Sequence, residues 1–191
     1  MRRREAISRL GILSGAALLG TTGLLSSCHF ADKKRTTLTE KDIPLLDEIG
    51  ETIIPETATS PGAKAAKIGA YMVLMVNDCY NAAQQKLFLE GLDSFEAASQ
   101  LQYKASFLEL SPADKKKFLM QLDKEATKIK NKKSIAPQAG EHYFAALKRL
   151  TYNGYVTSEV GATKALRYDP IPGKYEGSVP CKKDEKPWAT S

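Results

Sequence analysis

From residue 39 to residue 166, apolar side chains recur at intervals of three and four residues, which is the spacing of one face of an α-helix. The first stripe of this kind consists of Ile43, Leu46, Ile49 and Ile53. Pro55 ends it, because the residue before a proline avoids the α conformation. No run of alternating apolar and polar residues indicates a sheet of any size. The sequence therefore predicts an all-α fold of five to six helices.

The second and third helices are placed by their apolar faces. On the second, the residues expected to share the inward face are Ile68, Met72, Met75 and Cys79. On the third, which covers about residues 81–99, the inward residues are expected to be Leu87, Phe88, Leu92 and Phe95. Both sets have the spacing that packs one side of a helix against a core.

The last three helices are placed by their ends. A fourth helix follows Ser111-Pro112, because serine caps a helix and proline suits its first turn. A fifth begins near residue 141 and is expected to end at Asn153-Gly154, since glycine commonly follows the last helical residue. A short sixth helix after Ser158 completes a helical domain over residues 38–166.

Residues 167–191 form a tail whose prolines and glycines preclude a regular helix. These residues are Pro170, Pro172, Gly173, Gly177, Pro180 and Pro187. The tail is predicted to be extended, yet it is too apolar for a free linker. Its apolar side chains are those of Tyr168, Ile171, Tyr175 and Val179. We expect them to lie on a surface, either that of the chain's own helices or that of a partner.

The first 27 residues have the features of an export signal. Three arginines at residues 2–4 precede an uncharged run over residues 10–25, which is shorter than the roughly 20 residues that a membrane-spanning helix requires. The pair Arg3 and Arg4, followed by Glu5-Ala6-Ile7, resembles the twin-arginine motif, which directs folded proteins across the membrane. An ordinary secretory signal with a basic start is the alternative.

The sequence Leu25-Ser26-Ser27-Cys28 resembles the bacterial lipobox, whose cysteine is lipidated and becomes the first residue of the mature protein. Lipid chains on Cys28 would hold the protein on a membrane, and residues 28–37 would form a polar tether. We expect an exported lipoprotein on the periplasmic side of a bacterial membrane. Cleavage before Cys28 would reduce the net charge from +6 to about +3. Export also removes the opportunity to bind nucleic acid, so that class of partner is excluded.

The polar residues supply no recognisable catalytic or metal-binding motif. The chain has two histidines and three cysteines, and no CxxC pair, so the usual ligand sets for zinc are missing. Nucleotide-binding and serine-hydrolase motifs are missing as well. His142 is assigned no catalytic role. The two cysteines left after lipidation, Cys79 and Cys181, form either a disulfide or two separate thiols.

A series of short motifs follows one another along the helical part and the tail. They are Thr52-Ile53-Ile54-Pro55-Glu56-Thr57, Ser60-Pro61-Gly62-Ala63, Leu110-Ser111-Pro112, Leu147-Lys148-Arg149-Leu150-Thr151, Gly154-Tyr155-Val156-Thr157-Ser158 and Leu166-Arg167-Tyr168-Asp169-Pro170. Together they resemble the gluconate 2-dehydrogenase subunit 3 family over about residues 38–181. Members of that family often carry a cysteine directly after the glycine that matches Gly177, where this chain has Ser178.

The resemblance implies a small, non-catalytic subunit of a periplasmic dehydrogenase complex. The large subunit of such a complex is of the glucose–methanol–choline oxidoreductase type. It holds FAD and oxidises a sugar, an aldonate or a polyol, and a cytochrome c or a similar carrier takes the electrons. The small subunit binds the large one and carries it across the membrane, so this chain itself is expected to bind no cofactor.

Two segments are candidate contacts with such a partner, and packing within the chain is the alternative for both. One is the turn that contains Pro55, Pro61 and Gly62. The other is the tail, with Tyr168, Pro170, Pro172, Gly173 and Tyr175. A free-standing helical envelope lipoprotein with a structural or ligand-binding role is the alternative to a subunit.

Overall fold

Five α-helices organise the part of the chain that the computed structural model describes, which is residues 34–128 and 141–171 and, in the tail, 173, 174, 177, 178, 180, 183 and 185–189. In chain order they are α1 (Ile43–Ile53), α2 (Ile68–Leu74), α3 (Ala82–Tyr103), α4 (Pro112–Lys128) and α5 (Tyr143–Thr157). Short 3-10 turns lie at Glu40–Asp42, Ala63–Ala66 and Phe107–Glu109, and π-helical turns at Met75–Cys79 and Gly161–Ala165. These residues contain isolated bridges but no strand. The all-α prediction is confirmed.

A polar cap precedes helix α1. The carboxylate of Asp42 accepts hydrogen bonds from the backbone N–H of Thr39 at 2.8 Å and from its hydroxyl at 3.0 Å. Pro44 then lies in the first turn, where the missing N–H leaves no helical bond unmade. Leu46 and Ile49, at the centre of the predicted stripe, are fully buried.

The core contains aromatic rings from three elements. The ring centroid of Phe95 on α3 lies 5.0 Å from that of Phe107 and 5.2 Å from that of Phe118 on α4. Tilted and edge-on contacts of this kind are favourable beyond the apolar area that they bury. Phe107 comes from a 3-10 turn of three residues, which is too short to show any periodicity in the sequence.

The end of α2 differs from the prediction. The chain widens into the π-helical turn Met75–Cys79, which takes more residues per turn than an α-helix. Val76 is therefore buried and Cys79 is exposed, so the expectation that Cys79 faces the core is wrong. Leu87 on α3 is also exposed, while the other three residues predicted for that face are buried. Leu87 directly precedes Phe88, so it points about 100° away from the buried face.

Helix α5 continues past Asn153-Gly154, where its end was predicted, and reaches Thr157. Gly154 is buried because Tyr71, on α2, packs across it. A methyl group on Gly154 would lie 2.5 Å from Tyr71 Cδ1. This glycine therefore permits the close approach of two helices rather than a helix end. The chain turns at Ser158, and the short sixth helix predicted after it is present over residues 159–165, its last five residues being the π-helical turn Gly161–Ala165.

The segment before α1 is bound to the helical domain. The guanidinium of Arg35 is surrounded by three carboxylates, those of Asp42, Asp93 and Glu96. Asn77 accepts a hydrogen bond from the backbone N–H of Leu38 at 3.2 Å and donates one to its carbonyl at 2.9 Å. Leu38 is buried. Arg35, in the predicted tether, therefore contacts α3 and the 3-10 turn before α1, and Leu38, just after the tether, contacts the π-helical turn after α2.

Arg3, Arg4 and Cys28 lie outside the described residues, so the predicted export signal and lipidation stay predictions. Among the residues that are described, no helix combines the length and the apolar character of a membrane span.

Candidate functional site

The first candidate contact segment is a closed surface turn over residues 55–62, here called the Pro55–Gly62 turn. Its ends are joined by a hydrogen bond of 2.9 Å from the backbone N–H of Ala63 to the carbonyl of Ile54. Within it, the N–H of Thr57 donates to the carbonyl of Ser60 at 2.8 Å. Residues 55–59 are exposed. The turn is thus an ordered projection at the end of α1.

Glu51, in the last turns of α1, holds the Pro55–Gly62 turn from inside. Its carboxylate accepts a hydrogen bond of 2.9 Å from the N–H of Glu56 and one of 2.8 Å from the N–H of Lys64. Gly62 is buried beside this carboxylate, and a methyl group at that position would overlap its oxygens. A side chain at position 62 would therefore push the carboxylate of Glu51 away from the position in which it accepts these two backbone hydrogen bonds.

Tyr155 of α5 holds the same turn from the other side. Its side chain is 6% exposed, and its hydroxyl donates to the carbonyl of Pro61 and lies 2.9 Å from Ser60 Oγ. Tyr155 was quoted in the sequence only as part of a motif, and its role as a support was missed. No local signal could have revealed it, because the two partners are 94 residues apart.

The segment between α5 and the tail is also attached to Tyr155. The hydroxyl of Ser158 donates to the carbonyl of Tyr155 at 2.7 Å and accepts from the N–H of Gly161 at 2.9 Å. A methyl group on Gly161 would overlap that same carbonyl. Tyr155 therefore contacts the Pro55–Gly62 turn through its side chain and the start of the segment that leads to the tail through its backbone.

The first residues of the tail project into solvent. Tyr168 is 47% exposed and Ile171 is 81% exposed, and Pro170 and Gly173 are exposed as well. The carboxylate of Asp169 accepts a hydrogen bond of 3.0 Å from the N–H of Ile171, which forms a local turn. The tail was expected to lie on a surface, but in the described part of the chain Tyr168 is only about half covered and Ile171 is largely uncovered. The predicted contact residues Pro172 and Tyr175 lie outside the described residues.

A group of three charges connects the Pro55–Gly62 turn to α4. The carboxylate of Glu48 on α1 pairs with the ammonium groups of Lys64, just after the turn, and Lys115, on α4. Burial alone would raise the pKa of Glu48, but the hydrogen bonds from the two lysines outweigh it and hold that pKa below its ordinary value. Lys115 is buried and its ammonium lies 5.9 Å from the ring centroid of Phe107. These contacts make the base of the turn rigid.

His142 has a structural role in the described part of the chain. Its Nδ1 accepts a hydrogen bond of 3.2 Å from the N–H of Phe144, so the neutral ring caps the start of α5. Burial lowers the pKa of His142 below its ordinary value, and this favours the neutral ring that the cap requires.

Within residues 34–128, 141–171 and the described tail positions, no group of three or more His, Cys, Asp or Glu side chains is arranged to hold a metal ion. Cys79 is an exposed thiol. Its predicted partner Cys181 lies outside the described residues, so the disulfide stays a prediction.

A family model described as gluconate 2-dehydrogenase subunit 3 matches residues 40–173. The match includes all five helices, the Pro55–Gly62 turn and the exposed start of the tail. No curated protein and no solved structure matches the chain.

Proposed function

The chain belongs to the gluconate 2-dehydrogenase subunit 3 family, and from this premise we propose that it is the non-catalytic small subunit of a membrane-associated, FAD-dependent dehydrogenase. The large subunit, of the glucose–methanol–choline type, would hold the FAD and oxidise a sugar, an aldonate or a polyol. A cytochrome c would accept the electrons. This chain would bind the large subunit, carry it through twin-arginine export and hold it at the periplasmic side of the membrane.

One observation carries the proposal. The family match does not stop at the helical domain but continues to Gly173, through residues of the tail. Tyr168 and Ile171 are large, apolar and exposed. Large apolar side chains that the fold leaves exposed are typical of a protein–protein contact. A partner surface would cover the apolar area that these two side chains expose.

The contact is tested by copurification with tagged full-length protein. We expect the double variant Tyr168→Ala/Ile171→Ala to retain at most a tenth of the flavoprotein that the wild type retains, roughly the effect of losing two apolar anchors. Leu101→Ala is the matched control, because Leu101 is 76% exposed on α3, away from both candidate segments. Full retention by the double variant would exclude the tail as the contact.

The escort role is tested through the arginine pair. If the flavoprotein crosses the membrane with this chain, then Arg3→Lys/Arg4→Lys will leave both proteins in the cytoplasm. Flavin-dependent dehydrogenase activity should then be found in the cytoplasmic fraction rather than the membrane fraction. If the signal is an ordinary secretory signal, the Arg3→Lys/Arg4→Lys variant will still be exported. If the flavoprotein is exported independently, it will appear in the periplasm while this chain stays in the cytoplasm.

The tether is tested at Cys28. We expect Cys28→Ala to release the complex from the membrane fraction, because lipid chains on that cysteine supply the anchor. Mass spectrometry of the mature amino terminus would detect the lipid directly. If the wild-type chain carries lipid but retains no flavoprotein, the protein is a free-standing envelope lipoprotein.

A further inference from the structure

The two ends of the tail are joined by a contact between Arg167 and Trp188. The guanidinium carbon of Arg167 lies 3.6 Å from the centroid of the Trp188 ring, which places the cation on the aromatic face. The backbone pairs as well. The N–H of Arg167 donates to the carbonyl of Pro187 at 2.9 Å, and the N–H of Ala189 donates to the carbonyl of Arg167 at 2.8 Å. We call this contact the Arg167–Trp188 latch.

Two charged contacts reinforce the latch. Arg167 forms an ion pair with Glu185, and the ammonium group of Lys186 donates to the carbonyl of Lys164 in the last π-helical turn. The segment 185–188 is therefore bound on both sides of the point where the chain leaves the helical domain. The tail is a loop closed at its base rather than a strand that hangs free.

The latch is not part of the core. Trp188 is 47% exposed and does not belong to the buried cluster of the helical domain. It also lies beyond Gly173, where the family match ends. Tyr168 follows Arg167 directly in the chain, and Ile171 follows it by four residues.

We propose that the Arg167–Trp188 latch fixes the direction in which Tyr168 and Ile171 leave the helical domain and so prepares them to dock on the flavoprotein. A segment that is ordered only on binding loses conformational entropy at that moment, which weakens the complex. A segment that is already held at its base loses less conformational entropy when it binds. Arg167 and Trp188 are thus positioning residues for the contact in the proposed function, on which this inference rests.

The test measures rebinding of full-length protein to the copurified flavoprotein after the native small subunit has been removed. We expect Trp188→Ala and Arg167→Gln each to weaken binding about tenfold, the effect of ordering a few residues on binding. Trp188→Phe keeps an aromatic face for the guanidinium and should bind within about twofold of wild type. Leu101→Ala again serves as the control, and thermal unfolding of all variants should match wild type because the latch lies outside the core.

One double variant and one triple variant decide whether the latch acts through the tail. If it does, Trp188→Ala/Arg167→Gln will bind no more weakly than either single variant. In the Tyr168→Ala/Ile171→Ala background, Trp188→Ala will then have no further effect. Trypsin should also cleave after the exposed Lys174 and Lys183 faster in the latch variants than in wild type.

Three results would overturn the inference. Wild-type affinity in both single variants would show that the tail needs no latch. A loss of binding affinity in Trp188→Ala but not in Arg167→Gln would show that the indole ring contacts the partner directly. Failure of the wild-type chain to bind any flavoprotein would remove the proposed function itself, which distinguishes that failure from a failure of the latch alone.

Discussion

The hydroxyl of Tyr155 donates a hydrogen bond to the carbonyl of Pro61, 94 residues earlier in the chain. This contact connects the last turn of α5 to the surface turn that follows α1. The carbonyl of Tyr155 also accepts a hydrogen bond from the hydroxyl of Ser158, so the same residue contacts the Pro55–Gly62 turn and the segment that leads to the tail. The hydroxyl of Tyr155 makes the first contact and the backbone makes the second, so removal of that hydroxyl should affect the Pro55–Gly62 turn.

Tyr155→Phe tests this support. The variant keeps the ring in the core but removes the hydroxyl, which leaves the carbonyl of Pro61 without this donor. We expect the free energy of unfolding to fall by about 1–2 kcal/mol, the usual cost of such a loss at a partly buried site. Urea denaturation gives this value, and Tyr152→Phe is the control because Tyr152 is exposed.

Amide hydrogen exchange in the same variant locates the effect. Exchange of the N–H group of Ser60 should become faster. Exchange of the N–H group of Gly161, which donates to Ser158 Oγ, and exchange in the centre of α3 should change only with global stability. Unchanged exchange at Ser60 would show that the hydroxyl does not hold the Pro55–Gly62 turn.

Gly154→Ala distinguishes a packing glycine from one at a helix end. At an exposed helix position, replacing glycine by alanine increases the free energy of unfolding by roughly 0.5–1 kcal/mol. Here the added methyl group would lie 2.5 Å from Tyr71 Cδ1. We therefore expect a loss of about 1–3 kcal/mol in the free energy of unfolding, as for other overpacked core positions. A stabilised variant would contradict the close packing of α2 on α5.

Local features of the fold could be predicted from the sequence, because their partners lie within one turn. Asp42 beside Thr39 is one case. Another is Ser111, whose hydroxyl accepts from the N–H of Asp114 at 3.2 Å and donates to its carboxylate at 2.7 Å. In each case a short polar side chain three residues from its partner is sufficient to mark the start of a helix.

Long-range features could not be predicted in this way. Gly154 has the local sequence of a helix end, and only the position of Tyr71 on another helix makes it a packing residue. Arg35 and Asp93 are 58 residues apart, so an arginine in a polar segment gives no sign of its carboxylate partners. The candidate site follows the same rule. Its exposed residues were named from the sequence. The contact of Tyr155 with Pro61 and that of Trp188 with Arg167 were not, because each joins residues far apart in the chain.

Arg35→Gln tests the attachment of the amino-terminal segment. The substitution leaves three carboxylates close together without their cation, and the side chain of Arg35 is mostly buried. We expect a loss of about 2 kcal/mol in the free energy of unfolding, between the values for exposed and buried ion pairs. This loss of stability should be smaller at high salt concentration, because salt screens the repulsion among the three carboxylates. Lys34→Gln is the control, because Lys34 is highly exposed and should change stability by less than about 0.5 kcal/mol.

The cap formed by His142 predicts a dependence of stability on pH. The pKa of His142 is lowered in the folded protein, so as the pH falls the unfolded chain binds the proton first. The contribution of the cap is therefore complete above the unfolded pKa of about 6.5 and is lost progressively below it. The carboxylate of Glu125 acts in the opposite direction, but burial has the larger effect.

His142→Asn gives the matched comparison, because asparagine caps a helix at any pH. Between pH 7 and pH 5 we expect wild type to lose roughly 0.5–1 kcal/mol more stability than the variant, the ordinary contribution of a cap. Urea denaturation at several pH values measures the difference. Parallel curves for the two proteins would show that protonation of His142 does not disturb α5.

The central claim is that this chain is the small subunit of a flavoprotein dehydrogenase. The most direct test is purification of the tagged full-length protein from its native membranes, followed by a flavin absorption spectrum and mass spectrometry of the copurified proteins. The account predicts one flavoprotein in a one-to-one ratio with this chain and with FAD bound to it. A colourless preparation without a partner would contradict the account and would leave a lipoprotein that acts alone.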